Sequence, residues 1–499
     1  MRPCSVSRGT FVWCSLVLLM SSSSSDCQNP IVSDLSGYPG RGYSLEIGLG
    51  TPEQKLRVIL DTGSSNFAVA GKAHKYLSTF FNASLSTSYN GAGSRVSVTY
   101  TEGYWEGDLA HDRLSISQFT PLIVQLEAID ASQDFFVQGA DWQGILGLAY
   151  ASLAKPSSAV TPVFDSLVST GTVSSNMFSM QLCGTVDTAR ALDISTGGKF
   201  VLDGISPSLF SGEILYTPLV RTGYYEVVMN QVSVNGQDLD YPCVEYNTPR
   251  TIVDSGTTGL RFPTKIYNQI VAILREYAVN NIDGNLRKCP QTDGFWKSTD
   301  ACCIQPSQSD ALFRGFPNIT ISMSDDSDAF KEFKLVIPSQ LYLQAELSAK
   351  GLLDCYKFFV LPSEYGSVLG AVLMEGYYVV FDRQNKRIGF AKSTCEVRDA
   401  NFQKPAVVQS APVKSNASCI HATQPAKSSN SQVIAVAAGV SIGVIVVVFV
   451  SVLCFNRKCC SGNADRYDTQ GGDEDGRGAT DSQLAEYTNS KHLLEDSDS

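Results

Sequence analysis

Histidine is scarce in this chain. Its 499 residues include four, His74, His111, His421 and His492. No His-Glu-x-x-His pair occurs, so that zinc hydrolase pattern is excluded. A Ser-His or Cys-His nucleophile would have to use His74 or His111, because the other two fall in segments read below as a stalk and a tail. Charged residues are also sparse, at 17%, and the net balance is −11, which argues against a nucleic-acid partner. Long apolar runs are missing from most of the chain. Hydrophobic residues still make up 43% of it, a globular composition with length enough for two lobes.

The two apolar runs that do occur set the topology. The N-terminal run from Phe11 to Met20 follows Arg2 and Arg8 and precedes a serine run, the layout of a signal peptide over residues 1–25. Residues 433–455 are 23 uncharged residues followed at once by Arg457 and Lys458, which reads as a transmembrane helix with its cytoplasmic side at the C-terminus. A Gly-x-Ser-x-Gly match at 439–443 lies inside that span and is no hydrolase elbow. The same residues fit Gly-x-x-x-Gly, a helix-packing face or small-residue chance. Residues 26–432 are then lumenal or extracellular, and 456–499 form a cytoplasmic tail.

Cysteine use agrees with this topology. Of 14 cysteines, Cys4 and Cys14 leave with the signal, while Cys454, Cys459 and Cys460 sit at the inner membrane edge as thiols or palmitoylation sites. Nine remain in an oxidising compartment, an odd number that leaves at least one outside intramolecular pairs. Sequons at Asn82, Asn318 and Asn416 suit glycosylation on the same route.

From Gly42 to about Lys392 the pattern is all-β. Short runs such as "YSLEIGLG", "KLRVILD", "RVSVTYTEG" and "YYEVVMNQVSVNG" alternate with Gly, Asn, Asp, Ser and Pro clusters. "YYVVFDRQNKRIGFA" predicts a hairpin turning near Asn385. Helices are few. One is expected at 263–279, with Ile266, Ile270, Ile273, Leu274 and Tyr277 on one side, and one at 161–171, ended by Gly171. Residues 398–432, rich in Ala, Ser, Lys, Asn and Pro, read as a flexible stalk. The tail sets five Lys and Arg against ten Asp and Glu, a disordered composition, and its "HLLEDSDS" end offers a Leu-Leu pair to sorting adaptors.

One short pattern occurs twice. "VILDTGSSNF" (58–67) and "TIVDSGTTGL" (251–260) each place Asp-Thr/Ser-Gly-Ser/Thr behind an apolar strand, with the Asp residues 193 positions apart. Downstream of each lies an apolar-apolar-Gly step, "GILGLAY" (144–150) and "SVLGAVLMEGYYVVFD" (367–382). A duplicated pair of lobes explains both repeats, with the boundary near 195–204.

Asp61 and Asp254 brought together could hydrolyse an amide. Two carboxylates about 3 Å apart cannot both ionise, so they share one proton and titrate as a pair. The ionised member takes a proton from water, and the protonated member polarises the scissile carbonyl. Thr62, Gly63 and Ser64 on one turn, and Ser255, Gly256 and Thr257 on the other, support the dyad. The glycines permit tight turns, and Ser64 and Thr257 are placed to hydrogen-bond the carboxylates or nearby backbone.

With "DTGSS", "DSGTT" and "GILGLAY" in order, residues 42–392 resemble the pepsin-like aspartic proteases. "YTEGYWEG", "WQGILGLAYASLAKPSS", "VDSGTTGLRFP", "DGFW" and "MEGYYVVFDRQNKRIGFA" are similar to the membrane-anchored beta-secretase (memapsin) branch. The resemblance implies an all-β, bilobal fold with pseudo-two-fold lobes, here with one C-terminal transmembrane helix. The N-terminal lobe would span 42–197 and the C-terminal lobe 198–397, after a short pro-segment or N-terminal extension at 26–41.

The resemblance also implies site residues. Asp61 and Asp254 would be the catalytic pair, with no metal or cofactor. Residues 96–109 would form a flap in which Tyr100, Thr101, Glu102 and Gly103 meet substrate and Trp105 braces Tyr100. Arg261 would meet a substrate side chain or carboxylate, and Tyr225 would line the primed side. Disulfides would join Cys183–Cys395, Cys243–Cys419 and Cys303–Cys355, with Cys302 as an alternative to Cys303 and a local Cys289–Cys302 bridge as a further hypothesis. The sequence departs from the family at Glu102, where Gln is usual, and at Gly259, where larger residues are usual and a more open subsite is expected. The segment before the protease domain is also short, and no basic processing site is seen in it.

The function expected is that of a type I membrane-anchored aspartic endopeptidase. Its partners would be the bilayer and the juxtamembrane ectodomains of type I membrane proteins, amyloid-precursor-like ones included. Its place would be Golgi, endosome and cell surface, and its optimum acidic. A soluble digestive protease would lack the span, and a receptor on a dead protease fold would have lost one Asp.

Overall fold

The structure is a computed structural model. It describes residues 30–409 except 41, 102, 184–196, 283, 347–352 and 396–404, together with Cys419. The expected signal peptide, membrane span and tail, and Cys27, Glu102 and Asn416, lie outside the described residues. Among the described residues no helix is long and apolar enough to cross a membrane.

The body is mostly β and bilobal, and the same four-strand unit occurs in each lobe. In the first, Gln54–Asp61 runs parallel to Gly144–Gly147, which runs antiparallel to Phe67–Ala70, which runs parallel to Leu122–Gln133. In the second, Thr251–Val253, Ser367–Leu369, Leu260–Pro263 and Val360–Ser363 repeat that order and those directions. Sequence patterning accounts for the lead strand of each. Leu56, Val58 and Leu60 alternate inward with half-exposed neighbours, as a sheet with one covered face requires. Thr251, Ile252 and Val253 are all buried, as expected of a short strand covered on both faces.

A continuous sheet joins the lobes. Met177–Leu182 of the first lobe pairs antiparallel with Tyr377–Asp382 of the second, and that strand turns back into Arg387–Ser393 as the expected hairpin. The turn is held by Asp382, which accepts from Asn385 N at 3.0 Å, Asn385 Nδ2 at 2.8 Å and Arg387 Nε at 2.8 Å. Lys386, rather than Asn385, takes the left-handed backbone, with φ +53°. At the lobe junction Phe178 and Phe381 stack at 4.8 Å, with Phe164 edge-on at 5.0 Å.

Both expected helices form, as Val163–Ser169 and Thr264–Asn281. The second buries Ile266, Tyr267, Ile270, Leu274 and Ala278, the stripe that 3.6 residues per turn selects. Ile273 and Tyr277 are half-buried at its edge rather than in it. Short helices at Cys243–Asn247, Ser309–Arg314 and Ala371–Met374 carry too few residues for a periodic signal.

Two segments flanking the expected lobes hold paired strands. Residues 31–38, expected within a pro-segment or extension, form a strand paired on both edges, with Gly198–Leu202 and Gly42–Leu49. Two parts of the expected flexible stalk at 398–432 are tied down. Ala406–Gln409 pairs antiparallel with the Asp328–Ile337 strand, and Cys419 bonds to Cys243. A three-residue apolar stretch, Ala406–Val408, is enough to complete a sheet edge although the surrounding composition is polar.

Among the described residues four disulfides form, Cys183–Cys395, Cys243–Cys419, Cys303–Cys355 and the local Cys289–Cys302, so Cys302 does not replace Cys303. Cys27, the ninth cysteine of residues 26–432, lies outside the described residues.

Phe178 has no exposed surface and touches aromatic partners from both lobes. Phe178→Ala is expected to lower unfolding free energy by about 3–5 kcal/mol, read from urea unfolding.

Candidate active site

The two Asp turns meet face to face at the centre of the molecule. Each is built the same way. Gly63 N donates to Asp61 Oδ1 at 2.8 Å, and Ser64 Oγ donates to Asp61 Oδ2. Gly256 N donates to Asp254 Oδ1 at 2.9 Å, and Thr257 Oγ1 donates to Asp254 Oδ2 at 2.7 Å. The downstream glycine steps pin each turn from behind. Leu148 N donates to the Asp61 carbonyl at 2.7 Å and Ala149 N to that of Ser64 at 2.9 Å. Ala371 N donates to the Thr257 carbonyl at 2.8 Å and Val372 N to that of Thr258 at 3.0 Å.

A reciprocal clasp crosses between the lobes below the carboxylates. Thr62 N donates to Ser255 Oγ at 3.1 Å, and Ser255 N donates to Thr62 Oγ1 at 2.9 Å. The two hydroxyls then donate onward, Thr62 Oγ1 to Val253 O at 3.1 Å and Ser255 Oγ to Leu60 O at 2.7 Å. Neither hydroxyl nor N–H is left over, so the two turns are fixed in register.

Glycine is required at both turns by the opposite carboxylate. A Cβ at Gly63 would lie 2.6 Å from the Asp254 carboxyl carbon, and a Cβ at Gly256 would lie 2.3 Å from Asp61 Oδ1. At the downstream steps, a Cβ on Gly147 would meet the Ser65 backbone at 2.5 Å, and one on Gly370 the Gly259 carbonyl oxygen at 2.3 Å.

Both carboxyl groups are buried. Burial holds the Asp61 carboxyl well above the usual carboxylate range. The Asp254 charge beside it adds to this, against donors from Ser64 and Gly63. The pair therefore retains one proton where isolated carboxyls would have lost theirs. Such a pair can activate water on one carboxylate and hydrogen-bond a carbonyl from the other. Among the described residues no group of three or more His, Cys, Asp and Glu could hold a metal ion.

A hairpin, Asn90–Thr99 and Tyr104–Ile116, lies over this centre. Tyr100 N donates to the Gly103 carbonyl at 3.0 Å and closes its tip. Gly103 has φ +82°, and a Cβ there would meet the Asp134 backbone at 2.6 Å, so the tip rests on the next strand's end. Trp105 is wholly buried and donates Nε1–H to the Tyr100 hydroxyl at 3.2 Å, while Phe135 stacks on the Tyr100 ring at 5.7 Å. Burial, then the Asp61 charge, raises the Tyr100 phenol above its ordinary value and keeps it neutral. Thr101 is exposed at the tip.

A model of the eukaryotic aspartyl protease family matches residues 42–393. This chain is a eukaryotic aspartyl protease. It is 38% identical over 378 residues to a beta-secretase of Strongylocentrotus purpuratus, an alignment that covers 73% of this chain and 68% of that protein.

Two expectations for the protease's cleft are corrected. Tyr225 does not line it. Its side chain is fully buried, its hydroxyl donates to Leu148 O at 2.6 Å, and its ring packs on Phe381 at 4.7 Å. The neighbouring Tyr224, in the same turn before the Glu226–Val227 strand, is half-exposed beneath Arg250 at 4.8 Å. Gly259 does not open a subsite. A Cβ there would lie 2.9 Å from Phe359 O, so its lack of a side chain admits the neighbouring backbone. Arg261 is half-buried on the strand leaving the second turn. Asn82 and Asn318 are also half-buried, and the Asn82 side chain accepts from Ser84 N at 3.1 Å.

Thr62→Val is expected to leave the Ser255 N–H without an acceptor. Stability should fall by about 1–3 kcal/mol and kcat more than KM, measured by urea unfolding and peptide cleavage.

Proposed function

We propose that this aspartic endopeptidase works as a membrane-anchored, beta-secretase-type enzyme, with Asp61 and Asp254 as its catalytic pair. It would hydrolyse peptide bonds in the juxtamembrane ectodomains of type I membrane proteins, amyloid-precursor-like ones among them. The observation that carries the catalytic reading is the pair of reciprocal Asp turns, clasped across the lobes with one shared proton's worth of coupling. The ionised carboxylate takes a proton from water as its oxygen attacks the scissile carbonyl carbon. The protonated carboxyl donates toward the carbonyl oxygen. Collapse of the tetrahedral intermediate delivers a proton to the leaving nitrogen and breaks the C–N bond. Tyr100, neutral and braced by Trp105, would close over the substrate.

The anchoring reading rests on the apolar run 433–455 with Arg457 and Lys458 behind it. A tether confines the enzyme to substrates on the same membrane face by raising their effective concentration. The chain would travel through Golgi and endosome to the cell surface, with its tail available to sorting adaptors. The likeness to a beta-secretase supports this choice over a soluble digestive protease.

Cleavage of a peptide library by the lumenal part should be strongest in acid and decline as pH rises. Activity needs one proton on the pair, and the raised Asp61 carboxyl loses it on the alkaline side. On the acid side activity falls when the second carboxyl protonates. Asp61→Asn should lower kcat at least about 10²–10⁴-fold. Undiminished turnover in that variant would remove the assignment.

A further inference from the structure

Glu127 lies on the Leu122–Gln133 strand with no exposed surface, far from any cation. Its strand partners are Ala68 on one side and Leu109 on the other. Both belong to the apolar cluster beneath the flap, with Trp105, Ile129, Phe135 and Trp142 buried in it and Tyr100 packed against it. Glu127 Oε1 accepts from Asn66 Nδ2 at 2.7 Å, and Oε2 is buried with no partner at all. A second buried glutamate makes the contrast. Glu375 receives Tyr43 OH at 2.8 Å on one oxygen and Gln344 Nε2 at 2.6 Å on the other. Glu375 is satisfied as an acceptor, whereas Glu127 is half satisfied.

Asn66 connects that carboxyl to the catalytic turn. It follows "DTGSS" directly. Its amide donates a second proton to Lys155 O at 2.8 Å and accepts from Lys155 N at 2.9 Å, so the side chain is saturated and immobile. Its backbone carbonyl accepts from Gly147 N at 2.9 Å, and the next residue, Leu148, donates to the Asp61 carbonyl at 2.7 Å. The path from Glu127 to the Asp61 backbone is thus a chain of hydrogen bonds with no gap.

We propose that Glu127 is a positioning residue whose retained proton keeps the catalytic turn and the flap-side core in their working arrangement. Ionised, it would place a charge with one side-chain donor inside an apolar cluster, which is costly unless the cluster opens. Burial pushes its carboxyl up to about 8, with the Asn66 donor and its own backbone N–H pulling the other way. The titratable groups facing it are few. Tyr100 on the flap feels its charge, as it feels that of Asp61. The paired strand Phe67–Ala70 brings only uncharged residues, while the other paired strand, Tyr104–Ile116, sets Leu109 opposite Glu127, places half-buried His111 two residues further on and carries Glu106, Asp108, Asp112 and Arg113 besides; the Lys155 side chain is exposed. Because the folded value lies above the unfolded one, the stability Glu127 contributes is present in acid and lost as pH rises through the folded value. On its alkaline side the protease then loses a proton from Glu127 besides the one from the dyad, and another from Glu375, whose carboxyl burial also pushes up to about 8.

The test compares full-length wild type with Glu127→Gln, which keeps shape and an acceptor for Asn66 but never ionises. In wild type, log kcat/KM should fall on the alkaline limb with more than one proton's steepness. In Glu127→Gln it should fall less steeply by one proton, leaving about tenfold more activity one pH unit beyond the wild-type midpoint, with the acid limb unchanged. Glu127→Ala should lower acid-side kcat by loss of the Asn66 contact yet flatten the alkaline limb in the same way. An unflattened limb in whichever variant folds overturns the proposal, as does an equal loss at every pH, which is the mark of a merely structural role. Hydrogen exchange in Asp61→Asn needs neither activity nor a change at Glu127. Protection of the Gly147 and Leu148 amides, corrected for intrinsic rate, should drop between pH ~5 and ~9. Constant protection overturns the proposal even if the proteolytic reading stands.

Discussion

The site depends on one reciprocal contact, the exchange of hydrogen bonds between Thr62 and Ser255. It joins two turns from different lobes into one rigid floor. Everything above it follows from that register. The glycines at 63 and 256 are forced by the opposing carboxylates, and those carboxylates are close enough to share a proton because the floor leaves them no room to part. A single hydrogen bond contributes modestly, but four in a closed, buried ring leave no group free to relax independently.

The same low-dielectric burial has different consequences at three acidic sites. At Asp61 it acts with a neighbouring charge and makes an acid-base pair. At Glu375 donors reach both oxygens, from Tyr43 in the first lobe and Gln344 in the second, and tie the lobes together, while burial still pushes the carboxyl up to about 8. At Glu127 it is only half matched, which leaves proton retention as the way to avoid a stranded charge. Burial therefore raises carboxyls of the framework as well as that of the dyad.

Much of the fold and of the centre was legible in the sequence. The repeated Asp turns, the repeated Gly steps and the Tyr377–Ser393 hairpin carry strong local signals, since each needs particular residue types in a fixed order. Other residues were misread because their roles depend on facing. Tyr224 and Tyr225 are identical in type and adjacent in one turn, and only its packing against Leu148 and Phe381 decides which is buried. Gly259 reads as space in one dimension and as a close backbone approach in three. Ala406–Gln409 is too short to stand out of a polar segment, yet a free sheet edge selects it. Glu127, in "VQLEAID", looks like the solvent-facing member of an alternating strand, because no local pattern reveals a sheet covered on both faces.

By itself the sequence determined the chemistry available: two Asp-Thr/Ser-Gly turns, few histidines, and cysteines suited to an oxidising compartment. Those are properties of residue type and short-range order. The tertiary structure alone decided which groups share a proton, which buried carboxyl finds donors and which does not, and which aromatic faces the cleft. Each of those depends on distances between segments remote along the chain, and such distances are set only when the lobes close on one another.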